Sequence, residues 1–280
     1  MATEREQFTG PGGLPMLRLT RGNAIVEVST FGAHVTRYAV GGDEVLFLSG
    51  RAVLDGSKPI RGGVPICFPW FGGNGPRDDS PSHGFARTET WDVADATADK
   101  VTLRLADSAA TRELWPHGFR LDYTVALGDA LTLTFNVKNT EGVAFEFELA
   151  LHTYLRVNDV RGVLLSGFDG CEYVDQLIDN AHKCQESEPV VTSEIDRIYQ
   201  GHTSDVTVVD GDRRIVVGKS GGASTVLWNP HVAKAKRLGD FGDDEWPQML
   251  CVESAAIRPN GIELAAGASH ALSQTVRLGR

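Results

Sequence analysis

Short runs in which apolar and polar residues alternate fill most of this chain. LPMLRLT and NAIVEVS flank Arg21-Gly22, and AHVTRYAV and DEVLFLS flank Gly41-Gly42-Asp43. Period-two alternation around a tight glycine turn predicts β-hairpins. The pattern continues in WDVAD, VTLRLAD, FRLDYTVAL, LTLTFNVKN and FEFELALHTYL, and returns in RIVVGKS, STVLWNP, MLCVESA and HALSQTVRL. Such β-branched and aromatic runs, at this spacing, suit a β-sandwich or barrel. Between residues 161 and 214 the pattern loosens. VLLSG and CEYVD read as short strands and KCQESEPVVTSEIDRIYQG as loops. Residues 231–246 read as a second ligand loop or a surface excursion, with a turn or two of helix in HVAKAKRLGD. No repeat, heptad pattern or linker divides the chain. The expectation is one all-β domain over residues 14–280, two packed antiparallel sheets with few short helices, behind a polar, mobile or loosely docked end at residues 1–13.

Residues 58–87 break the alternation with KPIRGGVPICFPWFGGNGPRDDSPSHGFAR. The density of Gly and Pro reads as loop. Phe68, Trp70, Phe71 and Phe85 are out of place in a solvated linker, so the segment reads as a rigid loop packed on a scaffold, where function tends to sit. Arg61 precedes Gly62-Gly63, and His83 and Arg87 flank Gly84. Two arginines beside glycines are able to hold a phosphate or carboxylate through charge-assisted hydrogen bonds. They are equally able to pin the loop to nearby carbonyls.

Composition narrows the class. The 280 residues carry a formal net charge of −10, which argues against general nucleic-acid binding. It leaves room for a small anion held by a local arginine pair. Cys67, Cys171, Cys184 and Cys251 form no CxxC pair, so a zinc ribbon or thioredoxin-like motif is not expected. MATEREQFTG lacks a signal-peptide core, and no run of about 18 apolar residues exists to span a membrane. A soluble cytoplasmic monomer is expected.

Two strand-borne residues are chemical candidates. In FEFELALHTYL, alternation places His152 on the more polar face with Glu146, Glu148 and Ala150. In MLCVESA, Glu253 shares a face with Met249 and Cys251, and a carboxylate there needs hydrogen bonds, a cation or a function. Asp196 reads as half of a solvated pair with Arg197, and Trp228 as core. No GxSxG elbow, Walker loop, dinucleotide fingerprint or HExxH motif is present. His and Glu suit general acid–base work on a neutral polar substrate.

RGGVPICFPWFG, HGFAR and LHTYL, followed in order by YVD, EIDRIY, LWNP and CVES, resemble the hexose-6-phosphate mutarotase branch of the aldose 1-epimerases, from about Ala24 onward. The resemblance implies a galactose-mutarotase-like β-sandwich and interconversion of the anomers of a hexose 6-phosphate without metal or organic cofactor. It implies catalytic roles for His152 and Glu253, and substrate-binding roles for Arg61, His83, Arg87 and Asp196. Ser82 stands where relatives often carry Gln, and residues 72–81 have no clear counterpart. Two rival readings are an aldose 1-epimerase for unphosphorylated sugars and a non-catalytic sugar-phosphate-binding protein.

Overall fold

A computed structural model describes residues 3–279. Two eight-stranded antiparallel sheets dominate it, as the alternation predicts, and a five-stranded and a two-stranded sheet flank them. The first large sheet contains a four-strand meander, Asp92–Ala96, Lys100–Ala106, Phe119–Leu127 and Leu131–Asn139, which the C-terminal strand Ser269–Gly279 joins to Arg213–Ser220, Val206–Asp210 and Leu164–Ser166. Its strands Phe119–Leu127 and Leu131–Asn139 keep strict alternation, with Leu121, Tyr123, Val125, Leu133, Phe135 and Val137 all fully buried. One face of that sheet is core and the other meets water.

The second large sheet runs Ala181–Cys184, Glu172–Asp175, Ile195–Gln200, Ser224–Asn229, Met249–Ala256, Leu149–Leu151 and Ile66–Cys67, with Tyr154–Arg156 also paired to Met249–Ala256. Every residue of Met249–Ala256 is buried, because both faces of this central strand are covered. Alternation sends Ser254 and Glu253 to opposite sides. Ser254 turns toward the first sheet and accepts from Gln274 Nε2 at 2.9 Å; Gln274 Oε1 in turn accepts from Thr153 Oγ1 at 2.5 Å. This buried polar link leaves Glu253, and His152 beside Thr153, on the far side of the sheet.

Residues 145–155 are not one strand. Phe145–Phe147 pairs with Ile262–Leu264, Leu149–Leu151 pairs with Met249–Ala256 and Ile66–Cys67, and the chain breaks again before Tyr154–Arg156. Glu148 sits at the first break, where its carboxylate accepts from the backbone N–H of Phe71 at 2.8 Å and of Arg258 at 2.6 Å. Glu146 and Glu148 therefore do not share a strand with His152.

The N-terminal end also differs from expectation. Thr3–Thr9 forms an edge strand in full antiparallel register with Pro15–Arg21. It is held by Arg18, which pairs with Glu6 at 2.8 Å and covers the Phe8 ring. Exposure on both faces removes the apolar alternation that reveals other strands.

The segment 58–87 packs as a scaffolded loop. Phe68 is fully buried and meets the rings of Phe85, Trp115, Phe119, Phe135 and Phe147. Truncation of such a residue costs about 3–5 kcal/mol. Gly84 has φ +73°, and a Cβ there would lie 1.9 Å from the Phe68 carbonyl oxygen, so only glycine fits. The close approach of these backbones sets the neighbours His83 and Arg87. Among the described residues no helix is long and apolar enough to cross a membrane.

Candidate active site

All six residues singled out from the sequence line one cavity of about 370 Å³ above the second sheet: Arg61, His83, Arg87, His152, Asp196 and Glu253. Its volume suits a hexose-sized ligand. Two other hollows, about 230 Å³ beside the N-terminal sheet and about 770 Å³ around Trp70 and Trp115, contain none of the six.

His152 and Glu253 form the floor. His152 follows Leu151, and its N–H donates to the Pro65 carbonyl at 2.9 Å. Its ring stacks on Tyr154, with centroids 4.8 Å apart, and meets the edge of Trp228. Nδ1 lies 3.3 Å from Glu253 Oε1, in contact but without hydrogen-bond alignment. Nδ1 is buried, which leaves Nε2 as the ring nitrogen that reaches the cavity. Burial pushes the Glu253 carboxyl far above the usual carboxylate range, reinforced by the charge of Asp196 and opposed by Arg87. Burial also holds His152 well below 6.5, with His83, Arg87 and Arg61 adding to the effect. Burial thus favours the uncharged form of both groups, which leaves the pair one proton to share.

His83 stands beside His152, ring centroids 5.8 Å apart, at φ +63°, a left-handed conformation that costs about 1–2 kcal/mol for a side chain with a Cβ. Its Nδ1 accepts from the Gly72 N–H at 3.2 Å, and its ring meets Phe71 edge-on. Burial, then Arg87, Arg61 and Lys234, bring its pKa down to about 3. A neutral ring that accepts at Nδ1 carries its proton on Nε2, so His83 is a hydrogen-bond donor to the cavity.

The two arginines differ. Arg61 donates to both oxygens of Asp240, at 3.1 and 3.4 Å, and to the Tyr154 hydroxyl at 3.2 Å. Arg87 has no carboxylate partner among the described residues. It donates to the Ser82 carbonyl at 2.7 Å, and its Nε is buried without an acceptor. A half-buried guanidinium with a buried Nε and no counter-ion is costly unless a ligand supplies one.

Asp196 is a strand residue, not half of a solvated loop pair. Its Oδ1 accepts from Gln176 Nε2 at 2.6 Å, and its Oδ2 lies 3.7 Å from Lys234 Nζ. The strand Ile195–Gln200 went unrecognised because its buried residues, Ile195, Ile198 and Tyr199, do not alternate. Gln176, Lys234 and Leu238 also line the cavity, and none was singled out in the sequence. Lys234 lies on the short helix His231–Ala235, in the segment read as a second ligand loop, so loop chemistry gave the signal for it. Gln176 gave none. Trp228 is buried as expected, yet its edge also walls the cavity. Asp79 is paired with Arg77, and neither Asp78 nor Asp79 reaches the cavity.

His152, Cys251 and Glu253 offer donor atoms within 4.8 Å of one another. The charges of Arg61 and Arg87 both act on this group, which opposes a cation there. The donor set fits an acid–base pair better than a metal centre.

A β-sandwich with a buried His–Glu pair in a polar, hexose-sized cavity defines a sugar epimerase class of site. Residues 15–277 match the family model for aldose 1-epimerase, and the chain belongs to that family. A Cenchrus ciliaris protein provisionally named glucose-6-phosphate 1-epimerase is 36% identical over 266 residues, 88% of this chain and 80% of its own length. A Salmonella typhimurium crystal structure provisionally described as a mutarotase superposes with a TM-score of 0.88 at 28% identity, covering 99% of this chain and 93% of the other. Galactose 1-epimerase from Lactobacillus acidophilus shares the fold, with a TM-score of 0.74 at 14% identity, over 100% of this chain and 99% of its own.

Proposed function

We propose that this protein interconverts the α and β anomers of a hexose 6-phosphate, glucose 6-phosphate first among them, as a cytoplasmic monomer without metal or organic cofactor. The observation that carries the phosphorylated substrate is Arg87, a half-buried cation in the cavity wall whose only fixed acceptor among the described residues is a backbone carbonyl. An unphosphorylated sugar leaves that charge uncompensated.

The chemistry uses the shared proton of the floor pair. With the proton on His152, the Glu253 carboxylate removes the proton from the anomeric hydroxyl. The C1–O1 bond becomes a carbonyl as the C1–O5 bond breaks, and His152 delivers its proton to O5. The pair is then neutral, the form that burial favours, and the aldehyde is free to turn about C1–C2. Closure on the other face runs the transfers backward: His152 takes the O5 proton and Glu253 returns one to O1. A sugar hydroxyl donating to Glu253 favours the charged arrangement that starts ring opening. His83 Nε2–H and Asp196 Oδ2 supply a donor and an acceptor for the ring hydroxyls.

Magnetisation-exchange NMR on equilibrated glucose 6-phosphate, with glucose as the comparison, tests the reading. Faster exchange for the phosphate alone supports it. Equal acceleration of both sugars favours a general aldose epimerase, and binding without acceleration favours a sugar-phosphate-binding protein.

A further inference from the structure

A hydrogen-bonded chain leads out of the cavity from Asp196. Gln176 Nε2 donates to Asp196 Oδ1 at 2.6 Å, and Arg258 Nη2 donates to Gln176 Oε1 at 3.1 Å. Arg258 does not line this cavity; it lines the neighbouring hollow of about 770 Å³. It stands at the corner that follows the strand carrying Glu253, with φ +58°, and Glu148 fixes its backbone N–H at 2.6 Å. An arginine has donors and no acceptor, whereas a glutamine amide has one of each. Arg258 therefore decides which end of the Gln176 amide faces outward, and so which end faces Asp196.

We propose that Arg258 is a positioning residue for the sugar site: by fixing the Gln176 amide it keeps Asp196 an ionised acceptor with Oδ2 presented to the substrate. Without that donor the amide is free to flip and set an oxygen against the carboxylate. The other charges facing Asp196 are Lys234, at 3.7 Å from the helix His231–Ala235, Glu194 on the approach to its own strand, and Glu253 on the same face of the sheet, two strands away. Burial already raises Asp196, opposed by Lys234 and the Gln176 hydrogen bond, so the amide acts where ionisation is contested.

The test is a ¹³C-carboxyl NMR titration of Asp196 in the full chain, together with kinetics on glucose 6-phosphate. In Arg258→Met the Asp196 transition moves to higher pH and KM rises about three- to tenfold, the worth of one hydrogen bond, with kcat little changed. Arg258→Lys, which keeps a donor, restores most of the loss. In a Gln176→Met background Arg258→Met adds nothing, as expected for residues acting in series. Gln176→Met alone carries the same upward movement should Arg258→Met fold poorly. An unchanged Asp196 titration in Arg258→Met overturns the inference, as does an undiminished effect of Arg258→Met in the Gln176→Met background. The titration needs no turnover, so it stands apart from the mutarotase reading, which falls separately if the wild type fails to accelerate anomer exchange.

Discussion

His152 Nδ1 and Glu253 Oε1 lie 3.3 Å apart in the cavity floor, both side chains buried, yet no hydrogen bond joins them. Two groups so placed, each with buried polar atoms unsatisfied, are arranged for a third participant. His152→Ala and Glu253→Gln should each lower kcat for anomer exchange by about 10²–10⁴-fold with little change in KM, since each removes one positioned proton-transfer group. Full turnover in either variant would end the assignment. The pH profile follows from the shared proton. A second proton must enter on His152, which is held below 6.5, so the acid limb of kcat/KM lies below the ordinary histidine range. Loss of the last proton involves Glu253, which is raised, so the alkaline limb lies above the ordinary carboxylate range.

The same burial makes Glu253 a liability for stability. Its folded carboxyl binds a proton more tightly than the unfolded one. Stability therefore declines as pH rises above the unfolded value near 4.5, where only the unfolded chain ionises, and the decline continues toward the folded pKa. Glu253→Gln removes this term while keeping the shape. It should raise Tm at pH 7 by roughly 2–6 °C, with the difference shrinking toward pH 4. Calorimetry at both pH values checks this, and a lower Tm at pH 7 refutes it.

Arg87 should govern phosphate selectivity. Arg87→Met removes charge-assisted hydrogen bonds worth about 1.5–3 kcal/mol, so KM for glucose 6-phosphate should rise about 10–150-fold while the glucose reaction changes far less. Inorganic phosphate should raise the Tm of the wild type and not of the variant. Equal losses for both sugars would show that Arg87 serves the ring and not the phosphate.

Most of the large-sheet architecture was legible because strands with one wet face announce themselves, as Leu121 to Leu127 do. The edge strand Thr3–Thr9 was not, since a strand exposed on both faces needs no apolar pattern. Glu253 was legible as a carboxylate in apolar company, and His152 as a histidine on the more polar face of its run. Gln176 and Asp240 were not, because their importance lies in what they touch: Gln176 meets Asp196 across paired strands, and Asp240 meets Arg61 from 179 positions away. Alternation also misplaced Glu148, because a break in a strand to satisfy Phe71 and Arg258 leaves no mark on period two.

The Arg61–Asp240 pair offers a sharper test of how the cavity is balanced. Asp240 holds Arg61 by two hydrogen bonds, with both side chains about three-quarters buried. Asp240→Asn keeps the shape and removes the counter-charge. A partly buried cation left without its partner costs roughly 1–3 kcal/mol, which lowers Tm by several degrees. The freed charge then adds to that of Arg87, so an anion should bind more tightly than in the wild type. Millimolar phosphate should accordingly raise the Tm of Asp240→Asn by more than it raises that of the parent, and KM for glucose 6-phosphate should fall. Differential scanning fluorimetry with and without phosphate reads the first effect. An equal or smaller phosphate response in Asp240→Asn would mean that Arg61 does not face the bound anion, and that its pairing with Asp240 serves only to fix the cavity wall.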